Sequence, residues 1–378
     1  MPYYHGIKIN EINTGVRNMA TAATAILGMV AIASDADAAT FPLNTPVLID
    51  DLPSAIGKAG DEGHFAASLQ AIADQANAPA IIVRVAEGED DAGTAANIIG
   101  TTTVDGDLTG LQALLGAESL TGFRPRILGV PGYDDQLVAT ALSTVAQKLR
   151  GFTYTAAQGD TVADVVTYRE NFSAREQMLI WPEFSDFTGS AVARAMGLRA
   201  KIDQQTGWHK TLSNVAINGV TGISKAVPFS ILSSDITAAS LLNDADVTVL
   251  ARLNGFRFWG NRTCSDEPLF AFESAVRTAQ VLQDTIAQGL VWAIAKPITP
   301  GLVKDIVETI NAAFRSLQSQ GFIVGAEAWF DAAANPASAM ADGKVVIDFE
   351  YTPCAPAESI TINQRITDRF YASIADSL

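Results

Sequence analysis

The chain has 378 residues, of which 48% are hydrophobic and 17% charged, a composition typical of a folded protein. Its formal net charge of −16 and pI near 4.5 argue against a main role on nucleic acid or an anionic membrane, because those partners require clustered Lys and Arg. The length predicts two or three domains. The two cysteines, Cys264 and Cys354, are too few for a disulfide framework and are interpreted as reduced thiols.

The N-terminal residues 1–18 are predicted to form an extended arm, because Ile7 and Ile9 alternate with Lys8 and Asn10. The apolar stretch that follows, residues 19–33, has two interpretations. It resembles a signal peptide, since it follows basic residues and ends in a small-x-small sequence. It is also rich in Ala, Thr and Gly and shorter than the roughly 20 residues of a membrane span, so we favour a buried strand over residues 25–33.

Strands and helices alternate through the next part of the chain. Strands are predicted over residues 80–86, 126–130, 152–156 and 177–181, and helices over residues 64–75, 134–150, 161–171 and 189–203. This alternation predicts α/β layers with parallel strands. Residues 87–121 interrupt the pattern and are interpreted as an inserted loop or small subdomain. We assign residues 19–245 to one α/β domain.

A hairpin is predicted where two alternating runs flank Asn254 and Gly255. Asn-Gly is a strong hairpin signal, because a type I′ turn needs positive φ at both central positions. The aromatic residues Phe256, Phe258 and Trp259 mark this hairpin as a packing centre.

Two long helices, over residues 268–295 and 299–320, and strands over residues 322–330 and 344–351 follow the hairpin. We assign residues 246–356 to a C-terminal domain with a mixed sheet flanked by these helices. The predicted fold class is therefore α/β (α+β) and multidomain, with extended β arms at both ends.

The C-terminal residues 357–378 form the second predicted arm. Ile360, Ile362 and Ile366 are spaced for one face of a strand, with polar residues including Arg365 between them. A strand-like segment at each end without a local partner is what strand addition between subunits needs. The alternative is that both arms fold back on their own sheet or fray. The residues predicted to make the intersubunit contacts are Ile7, Lys8, Ile9, Glu11, Ile360, Ile362, Arg365 and Ile366.

No catalytic, cofactor-binding or metal site is predicted. The three histidines, His5, His64 and His209, lack the local spacing that marks zinc sites. The turn over residues 128–132 follows a strand, where α/β enzymes often place ligand loops. We interpret it as a plain turn, so the prediction is that the protein is not an enzyme and uses no cofactor.

An ordered set of segments resembles the contractile tail sheath proteins of long-tailed bacteriophages and phage-tail-like bacteriocins. It includes YHGIKINEINTGVR at residues 4–17, PRILGVPG at residues 125–132, LIWP at residues 179–182 and LNGFRFWGNRT at residues 253–263. The resemblance covers nearly the whole chain, with the motifs in family order.

The resemblance implies a structural subunit that polymerises as rings or helical strands around an inner tail tube. N- and C-terminal arms would add strands to the C-terminal-domain sheets of neighbouring subunits, and contraction would drive the tube through a bacterial envelope. It places residues 19–245 outward, with the C-terminal domain and N-terminal arm facing the tube. The implied partners are other copies of the chain, the tail tube protein, and the baseplate and tail terminator proteins, with no nucleic acid and no membrane insertion.

The implied location is the virion tail or a bacteriocin particle, assembled in the bacterial cytoplasm. Candidate tube-facing cations are Arg277, Lys304 and Arg315, on the two C-terminal helices. Two alternatives stay open at this point: a secreted surface-layer or adhesin-like structural protein, and an α/β enzyme that uses the turn over residues 128–132.

Overall fold

The computed structural model describes residues 19, 22–232 and 236–371. Its strands are β1 Leu27–Ile32, β2 Val47–Ile49, β3 Ala80–Val85, β4 Ile127–Gly129, β5 Phe152–Ala156, β6 Gln177–Trp181, β7 Ala216–Ile217, β8 Val247–Arg252, β9 Phe256–Trp259, β10 Ile323–Trp329 and β11 Asp348–Pro353. Its helices are α1 Leu52–Ile56, α2 Phe65–Ala73, α3 Asp91–Ile99, α4 Gly110–Ala113, α5 Ala117–Thr121, α6 Gln136–Leu149, α7 Val162–Arg169, α8 Ser190–Gln205, α9 Ala238–Asp244, α10 Glu273–Gly289, α11 Pro300–Ser319 and α12 Ala337–Ala341.

Most of the chain is organised on one sheet in the order β2-β3-β1-β4-β5-β6-β8-β9-β7. The strands from β3 to β8 pair in parallel, while β2, β9 and β7 pair antiparallel at the two sides. The predicted layer with parallel strands is therefore present. The apolar stretch once compared with a signal peptide forms β1, a fully buried strand between β3 and β4.

Helices cover both faces of this sheet, because its strands carry apolar side chains on both sides. Leu27 and Met29 face a core shared with α1, α2 and α8, whereas Val30 and Ile32 face a core shared with α3, α4 and α6. The result is a three-layer α/β arrangement. No helix among the described residues is long and apolar enough to cross a bilayer.

Residues 87–121 contain the helices α3, α4 and α5, so the interpretation of this segment as an inserted loop is wrong. Asp90 caps α3 by accepting a hydrogen bond from the Gly93 amide at 2.7 Å. Ile98 and Leu111 are buried against the sheet. Because these helices are short and rich in Thr, Gly and Asp, their periodicity is weak, and burial against the sheet is needed to stabilise them.

β8 and β9 form the predicted antiparallel hairpin, and φ is +48° at Asn254 and +103° at Gly255. The hairpin does not belong to a separate C-terminal sheet, however. β8 pairs in parallel with β6, so the predicted division between residues 245 and 246 cuts through one sheet. Phe258 is fully buried and packs in the core that the sheet shares with α1, α2 and α8.

The C-terminal unit is built from α10, α11 and the antiparallel pair β10–β11. Among the described residues its sheet has two strands and is antiparallel, where a mixed sheet was expected. Phe314 and Leu317 on α11 pack on Ile323 and Ala328 of β10, together with Leu282 of α10. α10 therefore contributes to both the C-terminal core and, through Val276, the core of the large sheet.

Candidate assembly site

The β10 edge of the C-terminal sheet is closed by side chains of α11. Asn311 donates from Nδ2 to the Ala328 carbonyl and accepts from the Ala328 amide at Oδ1, both at 2.8 Å. Gln318 donates to the Val324 carbonyl at 3.0 Å. The asparagine amide thus takes the place that a neighbouring strand would occupy at Ala328.

Among the described residues, no strand covers the outer edge of β11. Ala328 pairs with Phe349, and Ala326 with Tyr351. Since the Ala328 main-chain groups point to Asn311, this register alternates so that the main-chain groups of Phe349 and Tyr351 point away from β10. In the part of the chain that the structure describes, no further strand lies on that side. An exposed edge of this kind is a template for another strand.

The described part of the C-terminal arm is free of regular pairing. Residues 359–368 carry no helix or strand, and each of them is exposed. Ile360, Ile362 and Ile366 are 75%, 84% and 99% exposed, and Arg365 between them is also exposed. Three isoleucines in solvent, spaced for one face of a strand, are costly for an isolated subunit and favourable for one that buries them against another chain.

The four predicted contact residues of the N-terminal arm, Ile7, Lys8, Ile9 and Glu11, lie outside the described residues. The first described residue, Met19, packs against Gly289 at the end of α10. A Cβ atom at position 289 would lie 2.4 Å from the Met19 Cγ. The glycine therefore makes room for the Met19 side chain at the end of α10.

Buried ion pairs join α10 to the rest of the subunit. Arg199 on α8 contacts Asp203 at 2.7 Å and Glu273 of α10 at 3.2 Å, and none of the three side chains is exposed. Glu273 also accepts a hydrogen bond from the Tyr154 hydroxyl, and burial next to this carboxylate raises the pKa of Tyr154 well above its usual value. The charges compensate each other, as buried charges must.

A second cluster holds the other end of α10. Asp284 accepts from Arg126 at 2.5 Å and from Arg150 at 2.6 Å, with Arg124 at 3.6 Å. α10 is thereby held at both ends to the α/β layers. Separating α10 from the large sheet is therefore costly, because breaking either buried cluster leaves an uncompensated charge.

The three candidate tube-facing cations differ in exposure. Arg277 is 3% exposed and pairs with Asp203, so it belongs to the buried network and does not present a charge to a partner. Lys304 and Arg315 are exposed on α11, about three turns apart and on the same side. Glu308 and Asp305 are exposed close to Lys304, so this surface has mixed charge.

A crevice of about 640 Å³ lies at the carboxyl ends of β3 to β6 and is lined by acidic residues. Its carboxylates serve the main chain: Glu183 accepts from the amides of Phe184 at 3.0 Å, Gly189 at 2.9 Å and Ala191 at 2.5 Å. Asp134 accepts from the Ala156 amide at 2.5 Å. Among the described residues no group of three or more His, Cys, Asp or Glu could hold a metal. Glu183 and Asp134 therefore hold the loops at this end of the sheet in place.

The fold is shared with sheaths of contractile injection systems. The contracted helical sheath of the anti-feeding prophage has a TM-score of 0.73 at 17% identity, covering 96% of this chain and 98% of that chain. The contracted sheath complex of PVC, an extracellular contractile injection system, has a TM-score of 0.70 at 14% identity, covering 98% and 99%. These two structures show that the chain has the fold of contractile sheath subunits.

Sequence comparison gives the family. The phage tail sheath central domain matches residues 106–264 and the phage tail sheath C-terminal domain matches residues 265–367. The tail sheath protein of Escherichia phage P2 is 54% identical over all of this chain and 98% of its own length, and the major tail sheath protein of Serratia phage KSP20 is 46% identical over the same shares. The chain belongs to the phage tail sheath family.

This assignment makes the protein a structural tail sheath protein and not an enzyme. The two alternatives, a secreted surface-layer or adhesin-like protein and an α/β enzyme, are therefore replaced by this assignment. The family boundary at residues 264 and 265 lies after the hairpin, in agreement with the pairing of β8 to β6.

Nothing in the sequence indicated the roles of three residues that hold the β10 edge and α10 in place. Asn311, Glu273 and Asp284 lie on helices, where Asn, Glu and Asp are usually solvated. Their partners are distant in sequence, so neither spacing nor periodicity pointed to them. Asp284 and Glu273 could have been singled out only as charges on the side of α10 that also carries Val276, Val281 and Leu282.

Proposed function

We propose that this subunit polymerises around an inner tail tube, linked to its neighbours by main-chain pairing of its terminal arms, and that contraction of the polymer drives the tube through a bacterial envelope. The observation that supports this most is the outer edge of β11, on which no strand of the described residues lies, in a chain whose β10 edge is closed by Asn311 and whose residues 359–368 are exposed and outside any strand.

The C-terminal arm has the side-chain pattern that the open edge requires. Ile360 and Ile362 would face the same side of an added strand. On β11, Phe349 and Tyr351 lie on the side that packs towards α11. A neighbour's arm paired to β11 would therefore extend this apolar side, and its polar residues would stay in solvent. We assign the N-terminal arm, with Ile7, Lys8, Ile9 and Glu11, to the same kind of pairing.

The charge clusters on α10 fit a subunit that moves as one body. Buried pairs such as Arg199–Glu273 and Arg126–Asp284 are costly to break singly, so contraction would exchange surface contacts and leave them intact. Main-chain pairing in the arms keeps subunits linked while their orientation changes. The work would come from conformational free energy stored at assembly and released at a bistable interface.

On the tube-facing side we propose α11, with Lys304 and Arg315 as cationic contacts within a surface of mixed charge. The baseplate and the tail terminator would contact the ends of the polymer. We further propose that the subunit is assembled in the bacterial cytoplasm and resides in a virion tail or a headless contractile particle.

The test is negative-stain electron microscopy of the full chain and of a Thr361→Pro, Asn363→Pro variant. Proline removes the amide needed for pairing and leaves the isoleucines in place. The matched control is Thr361→Ala, Asn363→Ala, which keeps both amides. We expect hollow tubes from the full chain and the alanine control, and none from the proline variant. Tubes from the proline variant would remove this arm from the linkage, and monomers of the full chain at high concentration would contradict polymerisation.

A further inference from the structure

The C-terminal arm is attached to the body of the subunit just before it becomes free. Arg262, in the loop after β9, donates from Nε to Oε1 of Glu358 at 2.8 Å and from Nη2 to Oε2 at 2.9 Å. Both N–H groups of the guanidinium fork are thus used on one carboxylate, which fixes the direction of approach as well as the distance.

Arg262 is itself held in place. Its guanidinium lies 5.6 Å from the centre of the Phe272 ring, and its Nη1 lies 3.7 Å from Asp246. Asp246 in turn contacts Arg169 at 3.3 Å. The hydrogen bond to Arg262 lowers the pKa of Glu358, so the glutamate is ionised at neutral pH. Glu358 therefore makes a charge-assisted contact with an arginine whose position is fixed by Phe272 and Asp246.

The chain between β11 and Glu358 has few other attachments. A groove of about 720 Å³ separates residues 354–358 from the part of the subunit that includes Asn243, Asp246 and Trp259. At the start of this segment Cys354 accepts a hydrogen bond from Ser274 at 3.4 Å. The Arg262–Glu358 pair links the two walls of the groove, and the exposed residues 359–368 begin directly after it.

We propose that the Arg262–Glu358 pair is the anchor that sets the pivot of the C-terminal arm at residue 359, a role that rests on the proposed strand exchange. Without the pair, residues 355–358 join the free segment and add up to about 14 Å of reach. The free length from the pivot to Ile366 then grows from roughly eight to roughly twelve residues. Effective concentration at the neighbour's β11 edge falls with about the −3/2 power of length, which is roughly twofold per link.

The pair affects arm geometry more than subunit stability. Its side chains are 41% and 40% exposed, and an exposed pair adds little to folding. Arg262→Ala and Glu358→Ala are therefore expected to melt close to the wild-type temperature. The matched control is Lys225→Ala, which removes the Lys225–Asp160 pair, where the lysine is 38% exposed, at a site remote in sequence from the arm.

Two measurements test the anchor. In the soluble subunit, a spin label at Ala357→Cys, in a Cys354→Ser background, should become severalfold more mobile in Arg262→Ala and Glu358→Ala and keep its mobility in Lys225→Ala. In assembly, the critical concentration for tubes should rise about twofold in both single variants. The exchanged pair, Arg262→Glu with Glu358→Arg, should recover part of this loss.

Unchanged mobility of the label at residue 357 would overturn the anchor whether or not tubes form. An unchanged critical concentration in both single variants would also overturn it. A wild-type chain that forms no tubes would instead contradict the proposed polymerisation, and the mobility measurement would still decide the anchor.

Discussion

Arg199 on α8 and Glu273 at the start of α10 form an ion pair with an N···O distance of 3.2 Å, and neither side chain is exposed to solvent. The pair connects the α/β layers to the helix that carries the C-terminal unit. In a polymer of these subunits, force would pass through such connections. The strength of this ion pair therefore matters to the assembly as well as to the folded subunit.

We expect Glu273→Gln to destabilise the subunit by about 3–5 kcal/mol, since it leaves Arg199 with a single carboxylate partner in a buried site. Chemical denaturation monitored by circular dichroism measures the change. The control is Glu267→Gln, an exposed position close to the same helix start, which should change the free energy of unfolding by less than about 0.5 kcal/mol. Equal stability of the two variants would show that the buried pair does not join the two parts.

Stability should depend on pH through Asp134. Burial, with the nearby charges of Glu183 and Asp135, raises the pKa of this carboxyl from 3.8 to about 7. The unfolded chain therefore loses this proton first, so stability from this group falls as pH rises from about 4 to about 7 and is constant above.

Asp134→Asn removes that dependence, because an amide cannot ionise. At pH 8 the variant should be more stable than wild type by up to about 4 kcal/mol, and at pH 4 the two should unfold alike. Thermal or urea unfolding at both pH values measures this. Asp105→Asn, at an exposed position, should show no such difference. A variant that is less stable than wild type at pH 8 would mean that the folded protein favours the ionised carboxylate, which would contradict a raised pKa of Asp134.

Gly289→Ala should weaken assembly without unfolding the subunit. The new Cβ would take the space of the Met19 side chain, which must move, and Met19 directly follows residues 1–18 in the chain. Alanine also favours a helix by roughly 0.5–1 kcal/mol, so the melting temperature should hold or rise slightly. The critical concentration for tubes should increase. Gly301→Ala on α11 is the control, since its Cβ meets only Thr299 at 3.8 Å. Identical assembly of the two variants would contradict a role for this contact.

Reversing both exposed cations of α11, Lys304→Glu with Arg315→Glu, should lower co-assembly with the tail tube protein, measured by co-sedimentation. The fold should be unaffected, because both side chains are exposed. Lys58→Glu with Lys148→Glu makes the same change in net charge at other exposed positions and should leave co-sedimentation unchanged. An equal loss in both double variants would point to net charge alone.

The sequence by itself determined the local elements and the character of the ends. Short apolar runs predicted β3, β5 and β6, Asn254-Gly255 predicted the β8–β9 hairpin, and spaced isoleucines predicted a C-terminal segment without a local partner. These features depend on periodicity and on φ preferences of neighbouring residues, which are legible within about ten positions. The ordered motifs added the sheath family.

Only the tertiary structure decided which elements meet. It joined the hairpin to β6 instead of to the C-terminal sheet, buried Arg277 against Asp203, closed the β10 edge with Asn311, and brought Arg262 to Glu358 across 96 positions. A charged or amide side chain reads the same in a sequence whether it is solvated or paired. Its role is set by the packing of distant elements, because burial alone makes its partner energetically decisive.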